Sequence, residues 1–200
     1  RVQSLPASNE YYFGLGVDLG FNDASSFVVA AFSRHDPNLY IVEAFKSREL
    51  DLTQVSEQIK RLDAKYKFFT VQIDGSNKQG IDEMQNRHGH RIKHESAEKT
   101  DKATFLRLMS DDYKQGTIKH VGDGCLQLED EQSKLMWLKD SDKEDPRCEN
   151  HISDGALYLW RKCRNYLATQ KPEPINKNSN DYMDQYAKRL SDMRRRQNED

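Results

Sequence analysis

The sequence predicts an α/β fold: a mixed sheet that opens with a three-strand antiparallel meander, continues with alternating helices and parallel strands, and is flanked by helices. Three observations predict it. Apolar runs rich in Val, Phe, Tyr and Ile crowd the first quarter of the chain, separated by loops too short for a helical crossover. After Leu50 the apolar spacing changes to that of a helix. From there to about Leu167, short apolar runs alternate with helical stretches.

Taken in order, the polar "RVQSLPASNE" (residues 1–10) reads as a linker. Strand-like runs follow at Tyr12 to Val17, Phe27 to Phe32 and Leu39 to Phe45. In "LDLTQVSEQIKRLDAKYK", Val55, Ile59, Leu62 and Tyr66 recur at helical spacing, with Asp51 or Thr53 placed to cap the start. "FFTVQID", Phe68 to Asp74, is a buried strand that ends in an acid. "NKQGIDEMQNRHG" forms a second, weaker helix and "RIKHES" a fifth strand. Phe105, Met109 and Tyr113 mark a core-facing helix whose C-terminal cap is Gly116. Val121 to Lys139 holds a short strand and a helix, and "DSDKEDPRCEN" is a charged loop. Ile152, Ala156, Trp160, Cys163 and Leu167 form one stripe, which predicts a helix over 153–168. The division is therefore a linker at 1–10, one folded domain at 11–168 and a polar tail at 169–200, helical around Tyr182 to Met193.

Bulk properties narrow the function classes. With 36% hydrophobic and 32% charged residues the chain is more polar than an average domain. A formal net charge of −2 gives no overall pull toward nucleic acid or anionic lipid, so any such contact rests on a local basic patch. The three cysteines, Cys125, Cys148 and Cys163, lack CxxC spacing and read as reduced thiols. No apolar run approaches the roughly 18 residues that span a bilayer.

The chemistry lies in acids placed where apolar residues are expected. Asp18 sits at the end of the first strand and Asp74 ends the fourth. The helix between them supplies a crossover, so the two strands can pair in parallel and bring both acids to one sheet edge, where open α/β sheets usually bind ligands. Asp154 falls in the first turn of the last helix, whose N-terminus stabilises a carboxylate. Three converging carboxylates raise one another's pKa unless cations hold them, and Mg²⁺ favours such hard oxygen ligands. Two ions about 3.5–4 Å apart form the arrangement used for phosphodiester cleavage. Plainer readings stand beside this one: Asp18 opens a turn before Gly20, Asp74 one before Gly75, Asp154 is a first-turn residue, and Asp82 and Glu83 compete with Asp74 as the second acid.

At these residues the chain resembles a known family. "GVDLGFND", "VQIDGS" and "NHISDGALY" look like the three acidic motifs of the nuclease domain of tailed-bacteriophage terminase large subunits, part of the ribonuclease H-like superfamily. The resemblance covers roughly residues 10 to 168. It implies a ribonuclease H-like mixed sheet and a metal-dependent endonuclease that cuts concatemeric viral DNA during packaging. By position it makes Asp18, Asp74 and Asp154 the catalytic, metal-binding triad, with Asp23 as a further acid near a second ion. The implied cofactors are two Mg²⁺ or Mn²⁺ ions. The implied partners are double-stranded DNA, a packaging ATPase domain of the same subunit, the portal and the small terminase subunit, in host cytoplasm and transiently at the procapsid portal. Gly155 departs from the small Ala that often follows the third acid. The chain starts at Arg1 without Met and holds no GxxxxGK[ST] loop, so the motor is expected to lie outside it.

Other residues remain open. Asp23 equally suits a hairpin loop. His151 either reaches the acids, contacting substrate or a metal-bound water, or caps the last helix. Lys99 and Lys102 precede a helix near the acidic edge and can meet phosphates, or simply belong to a solvated loop. His88, His90 and His94 resemble a metal cluster, but no Cys joins them and solvent exposure is expected. Competing functions are another ribonuclease H-like nuclease, such as a resolvase or transposase core, and a module that docks DNA or the portal without cutting.

Overall fold

The computed structural model describes residues 1–7, 9–20, 23–74, 78–139, 141 and 143–167, with no side chains described at 78–80. The tail at 169–200, including the expected helix around Tyr182 to Met193, lies outside the described residues. The strands are β1 (Tyr12–Asp18), β2 (Ala24–Phe32), β3 (Leu39–Arg48), β4 (Thr70–Ile73), β5 (His94–Ser96) and β6 (Ile118–His120). The helices are α1 (Leu52–Tyr66), α2 (Lys78–His88), α3 (Lys102–Gln115), α4 (Leu126–Lys134) and α5 (His151–Cys163). The sheet order is β5-β4-β1-β2-β3-β6. Strands β1 to β3 form the antiparallel meander. Strand β4 joins β1 in parallel, β5 joins β4 and β6 joins β3, also in parallel.

Strand parity assigns each residue to a layer. Leu15, Val17, Phe27, Val29, Val71 and Ile73 face α1 and α2, packing on Val55, Ile59, Leu62, Ile81 and Met84. Val28, Ala30, Phe32, Leu39 and Ile41 face the other way, onto Met109, Leu128, Ile152, Leu157 and Trp160. Both faces are covered, which is why all nine residues of β2 are buried and its sequence lacks polar alternation. The polar residues at the start of β2 defeat a reading by apolar runs. The strand begins at Ala24, three residues before Phe27, because Ser25 and Ser26 keep pairing with Ser47 and Lys46. Strand β3 runs on to Arg48 for the same reason.

Helix boundaries follow their caps. The Asp51 carboxylate accepts from the Gln54 amide at 2.8 Å, and the Gln54 side chain accepts from the Asp51 amide at 2.9 Å, a closed capping box. Gly116 ends α3 in the left-handed region at φ 73°. Met109 of α3 is buried, with Phe105 and Tyr113 half-buried against the same core. Helix α5 starts at His151, two residues before the expected Ser153, and its helical residues end at Cys163 rather than Ala168. Beyond the cap, the Tyr166 amide donates to the Cys163 carbonyl at 2.8 Å in a turn. Residues before β1 are tied down: Val2 bridges Val121 and donates to the His120 carbonyl at 2.8 Å. Among the described residues, all three cysteines are free and no helix is long and apolar enough to cross a membrane.

Candidate functional site

The parity that buries Leu15 and Val17 under α1 turns Gly14, Gly16 and Asp18 toward α5. On β4 the same alternation turns Thr70, Gln72 and Asp74 that way. Val17 pairs with Ile73, and the Asp74 amide donates to the Val17 carbonyl at 2.9 Å, so the two acids leave adjacent parallel strands side by side.

Two close approaches bring α5 to them. A Cβ on Gly16 would lie 2.1 Å from the Gly155 carbonyl oxygen, so only glycine lets the helix sit this near β1. A Cβ on Gly155 would meet the Ser26 hydroxyl at 2.9 Å. The Ser26 hydroxyl donates to the His151 carbonyl at 2.7 Å, and Glu131 accepts from both the amide and the hydroxyl of Ser153 at 2.8 Å. The first turn of α5 is thereby fixed over the strand ends, and Asp154 with it.

Asp18, Asp74 and Asp154 are all buried. Each is held by a cationic or titratable side chain. Lys99 pairs with Asp74. The Lys102 ammonium lies 2.6 Å from Asp154 Oδ1 and donates to Oδ2 at 2.8 Å. It also lies 2.6 Å from Glu144, which accepts from Asn150 at 3.0 Å. His151 Nδ1 lies 2.9 Å from Asp18 and Nε2 lies 3.0 Å from Asp23, so one imidazole bridges a buried and an exposed acid. Helix capping is not its role: Asn150 is the N-cap, and its side chain makes no capping bond.

Electrostatics couple the group. Burial raises the Asp18 pKa, the His151 bond opposes the rise and the Asp74 charge adds to it. Burial pushes Asp154 up to about 6 against the pull of Lys102, with Asp18 and Glu144 adding to the rise. Burial works against the charged forms of Lys102 and His151, yet their acid partners outweigh it and both pKa values rise. The His151 bond lowers that of Asp23. Tyr158 stands one helical turn after Asp154; burial and then the charges of Asp154, Asp18 and Asp74 push its phenol far up.

Every candidate of the acidic edge thus contacts another of them. Asp82 is exposed and Glu83 pairs with Arg87 on α2 at 2.7 Å, away from this group. Two participants escaped the sequence reading. Tyr158 stands four residues after Asp154, a helical spacing that marks it in retrospect. Glu144 arrives from a charged loop whose course no local pattern gives away. As the side chains stand, no group of three or more His, Cys, Asp or Glu among the described residues is arranged to hold a metal ion. The donor chemistry nevertheless fits a hard divalent cation: buried carboxylates on three fixed backbone positions, mutually destabilised, and now neutralised by flexible ammonium groups.

The histidine trio corrects an expectation. His94 is buried and neither ring nitrogen has a hydrogen-bond partner, while His88 and His90 are half-buried rather than exposed. His90 bonds Ser56 at 2.7 Å, and its ring centroid lies 4.3 Å from that of His94. Helices α1 and α2 cover the turn that an isolated reading leaves in solvent. The three do not join the acids, because His94 pairs with Val71, toward the other end of β4 from Asp74.

No protein-family model and no curated protein matches the chain. Solved structures do. The nuclease domain of the large terminase g2p from bacteriophage SPP1, solved with bound Mn, is 18% identical over 78% of this chain and 88% of its own, with a TM-score of 0.63. The P22 large terminase nuclease domain is 15% identical over 80% and 87%, with a TM-score of 0.64. A large terminase from a thermophilic bacteriophage is 19% identical over 80% of this chain, with a TM-score of 0.67, and this chain spans 41% of its length. At such identities the likeness is one of fold: this chain has the ribonuclease H-like fold of large-terminase nuclease domains.

Proposed function

We propose that the domain is a metal-dependent endonuclease that hydrolyses DNA phosphodiester bonds. In this reading it is the C-terminal nuclease part of a terminase large subunit, cutting concatemeric viral DNA during genome packaging. The observation that carries it is the meeting of Asp18, Asp74 and Asp154 at one sheet edge, buried and dependent on cations, in a fold shared with large-terminase nuclease domains. In this reading residues 11–168 are the nuclease and 169–200 a tail.

Asp18, Asp74 and Asp154 would hold Mg²⁺ or Mn²⁺, with Asp23 on the outer side toward a second ion; the SPP1 domain is described with Mn. When bound, such ions activate water and stabilise the leaving oxygen. The remaining work falls to the chain itself. His151 orients Asp18 and Asp23 through its two ring nitrogens. Lys99 and Lys102 stand ready for phosphate oxygens. Double-stranded DNA is the substrate, and the proposed partners are an ATPase domain of the same subunit, the portal and the small subunit, met in host cytoplasm at the procapsid.

A plasmid-nicking assay with Mg²⁺ or Mn²⁺ tests this. The domain should nick supercoiled plasmid and Asp18→Asn should not, at unchanged circular dichroism. Full activity of the folded variant would refute the assignment.

A further inference from the structure

We propose that Lys99 and Lys102 are resident counter-ions that keep Asp74 and Asp154 from a divalent cation until the phosphates of duplex DNA draw them away, so that metal loading is coupled to DNA binding. The inference rests on the metal-dependent reading above and concerns how that site is held before substrate arrives.

Each of the two acids has a lysine against it. Lys99 meets Asp74, and Lys102 meets Asp154. The acids are sunk, with side chains 9% and 12% exposed, whereas the lysines reach them from outside, at 43% and 34%. Buried carboxylates demand compensation, and these two receive it from the side on which a substrate would approach. Oδ1 of Asp154 has no hydrogen-bond partner and relies on the Lys102 ion pair alone. Lysine suits the task, since its compact charge rides on a flexible four-carbon stem and can leave without backbone movement. An arginine fork would bind the carboxylate in two places and release it less readily.

Lys99 lies in the short connection between β5 and α3, and Lys102 is the first residue of α3. Ala97 anchors its start by donating to the Ile73 carbonyl at 2.7 Å. Asp101, next to Lys102, sits in the left-handed region at φ 55° and its side chain makes no capping bond. The backbone is therefore pinned at the sheet and again at Thr100, whose carbonyl accepts from Arg161 at 2.9 Å, so the flexible lysine stems supply the movement. Charge points the same way. Asp18, Asp74, Asp154, Asp23 and Glu144 outnumber Lys99, Lys102 and His151, so withdrawing two ammonium groups leaves a strongly anionic pocket that only a multivalent cation can balance. Glu144, sharing Lys102 with Asp154, is released by the same movement.

Mn²⁺ binding, read from the electron paramagnetic resonance of free Mn²⁺, tests this with and without a short DNA duplex. Without DNA, Lys99→Gln/Lys102→Gln should bind Mn²⁺ at least about tenfold more tightly than the wild type. Duplex should tighten wild-type Mn²⁺ binding by a similar factor and the variant's far less. The variant's DNA affinity should also lose roughly two units of salt slope, one for each lysine. Lys99→Arg/Lys102→Arg, which keeps the charge, should restore weak Mn²⁺ binding without DNA. Equal Mn²⁺ affinity of wild type and the Gln variant, or equal tightening by DNA, overturns the lysine proposal while leaving the nuclease reading intact. Absence of Mn²⁺ binding in every form, with or without DNA, overturns both. Should the double variant lose its circular dichroism signature, Lys99→Gln alone carries the same comparison.

Discussion

Two buried carboxylates at opposite ends of the central strands show how differently one fold treats an acid. Asp36 lies in the β2–β3 turn, next to the start of β1, and Asp18 lies at the end of β1; both are buried. Asp36 is wrapped by neutral donors: the Asn38 amide at 2.9 Å and its side chain at 2.6 Å, the hydroxyls of Tyr40 and Tyr11 at 2.9 and 3.3 Å, and Asn9 at 3.2 Å. Burial alone would raise its pKa, but these bonds outweigh burial and hold it below the ordinary value. Asp18 has the His151 imidazole at 2.9 Å, and its pKa is raised. A carboxylate built for structure is saturated by donors that cannot leave. In the proposed reading Asp18 is left short of them because a cation is its intended partner.

The largest expected effect separates the two ends by activity. Asp18→Asn should lower plasmid nicking by at least about a hundredfold, because it removes a charged oxygen donor from the reacting centre. Its urea midpoint should stay equal or rise, since a buried and destabilised charge is lost. Asp36→Ala should do the reverse, losing roughly 2–4 kcal/mol in urea unfolding by stranding several buried donors, with nicking per folded molecule unchanged. Lost nicking in the folded Asp36→Ala protein would break the distinction.

A smaller effect concerns the buried histidine, which treats its charge as Asp18 does. Burial pushes His94 down to about 4, with His90 adding to the fall and Asp63 opposing it. The unfolded chain takes up the proton near pH 6.5 and the folded chain only near 4, so stability declines as pH falls through that window, by on the order of 3 kcal/mol. Urea midpoints from pH 7 to 4 should show this decline, and His94→Leu should flatten it. An unchanged slope in that variant would assign the acid sensitivity elsewhere. Smallest of all, Asp51→Ala should cost about 1 kcal/mol through the α1 capping box and leave nicking untouched.

What could be read in the sequence follows from what is local. The capping acid of α1, the Gly116 cap and the strand-ending acids all have signatures within a few residues. Parity carried further than expected: because Leu15 and Val17 face one layer, Asp18 must face the other, and the same count on β4 sends Asp74 with it. The resemblance of the three motifs named the fold that solved structures now share with the chain. What stayed hidden is nonlocal. His94 reads as exposed in isolation because its cover is supplied by other elements, and Ser56 of α1 reaches the neighbouring His90. Glu144 joins the acids only because its loop folds back along Trp137. Strand β2 begins early because Ser25 and Ser26, polar by type, are buried between two layers of helices.

The central claim, that the acidic edge is a metal centre waiting behind lysines, is tested most directly by crystals grown with a short DNA duplex and soaked in Mn²⁺. Anomalous density among Asp18, Asp74 and Asp154, with the Lys99 and Lys102 ammonium groups turned outward, is the predicted result. Density confined to the histidine trio, or none at the acids at saturating Mn²⁺ with the lysines still in place in crystals grown with duplex DNA, would contradict it.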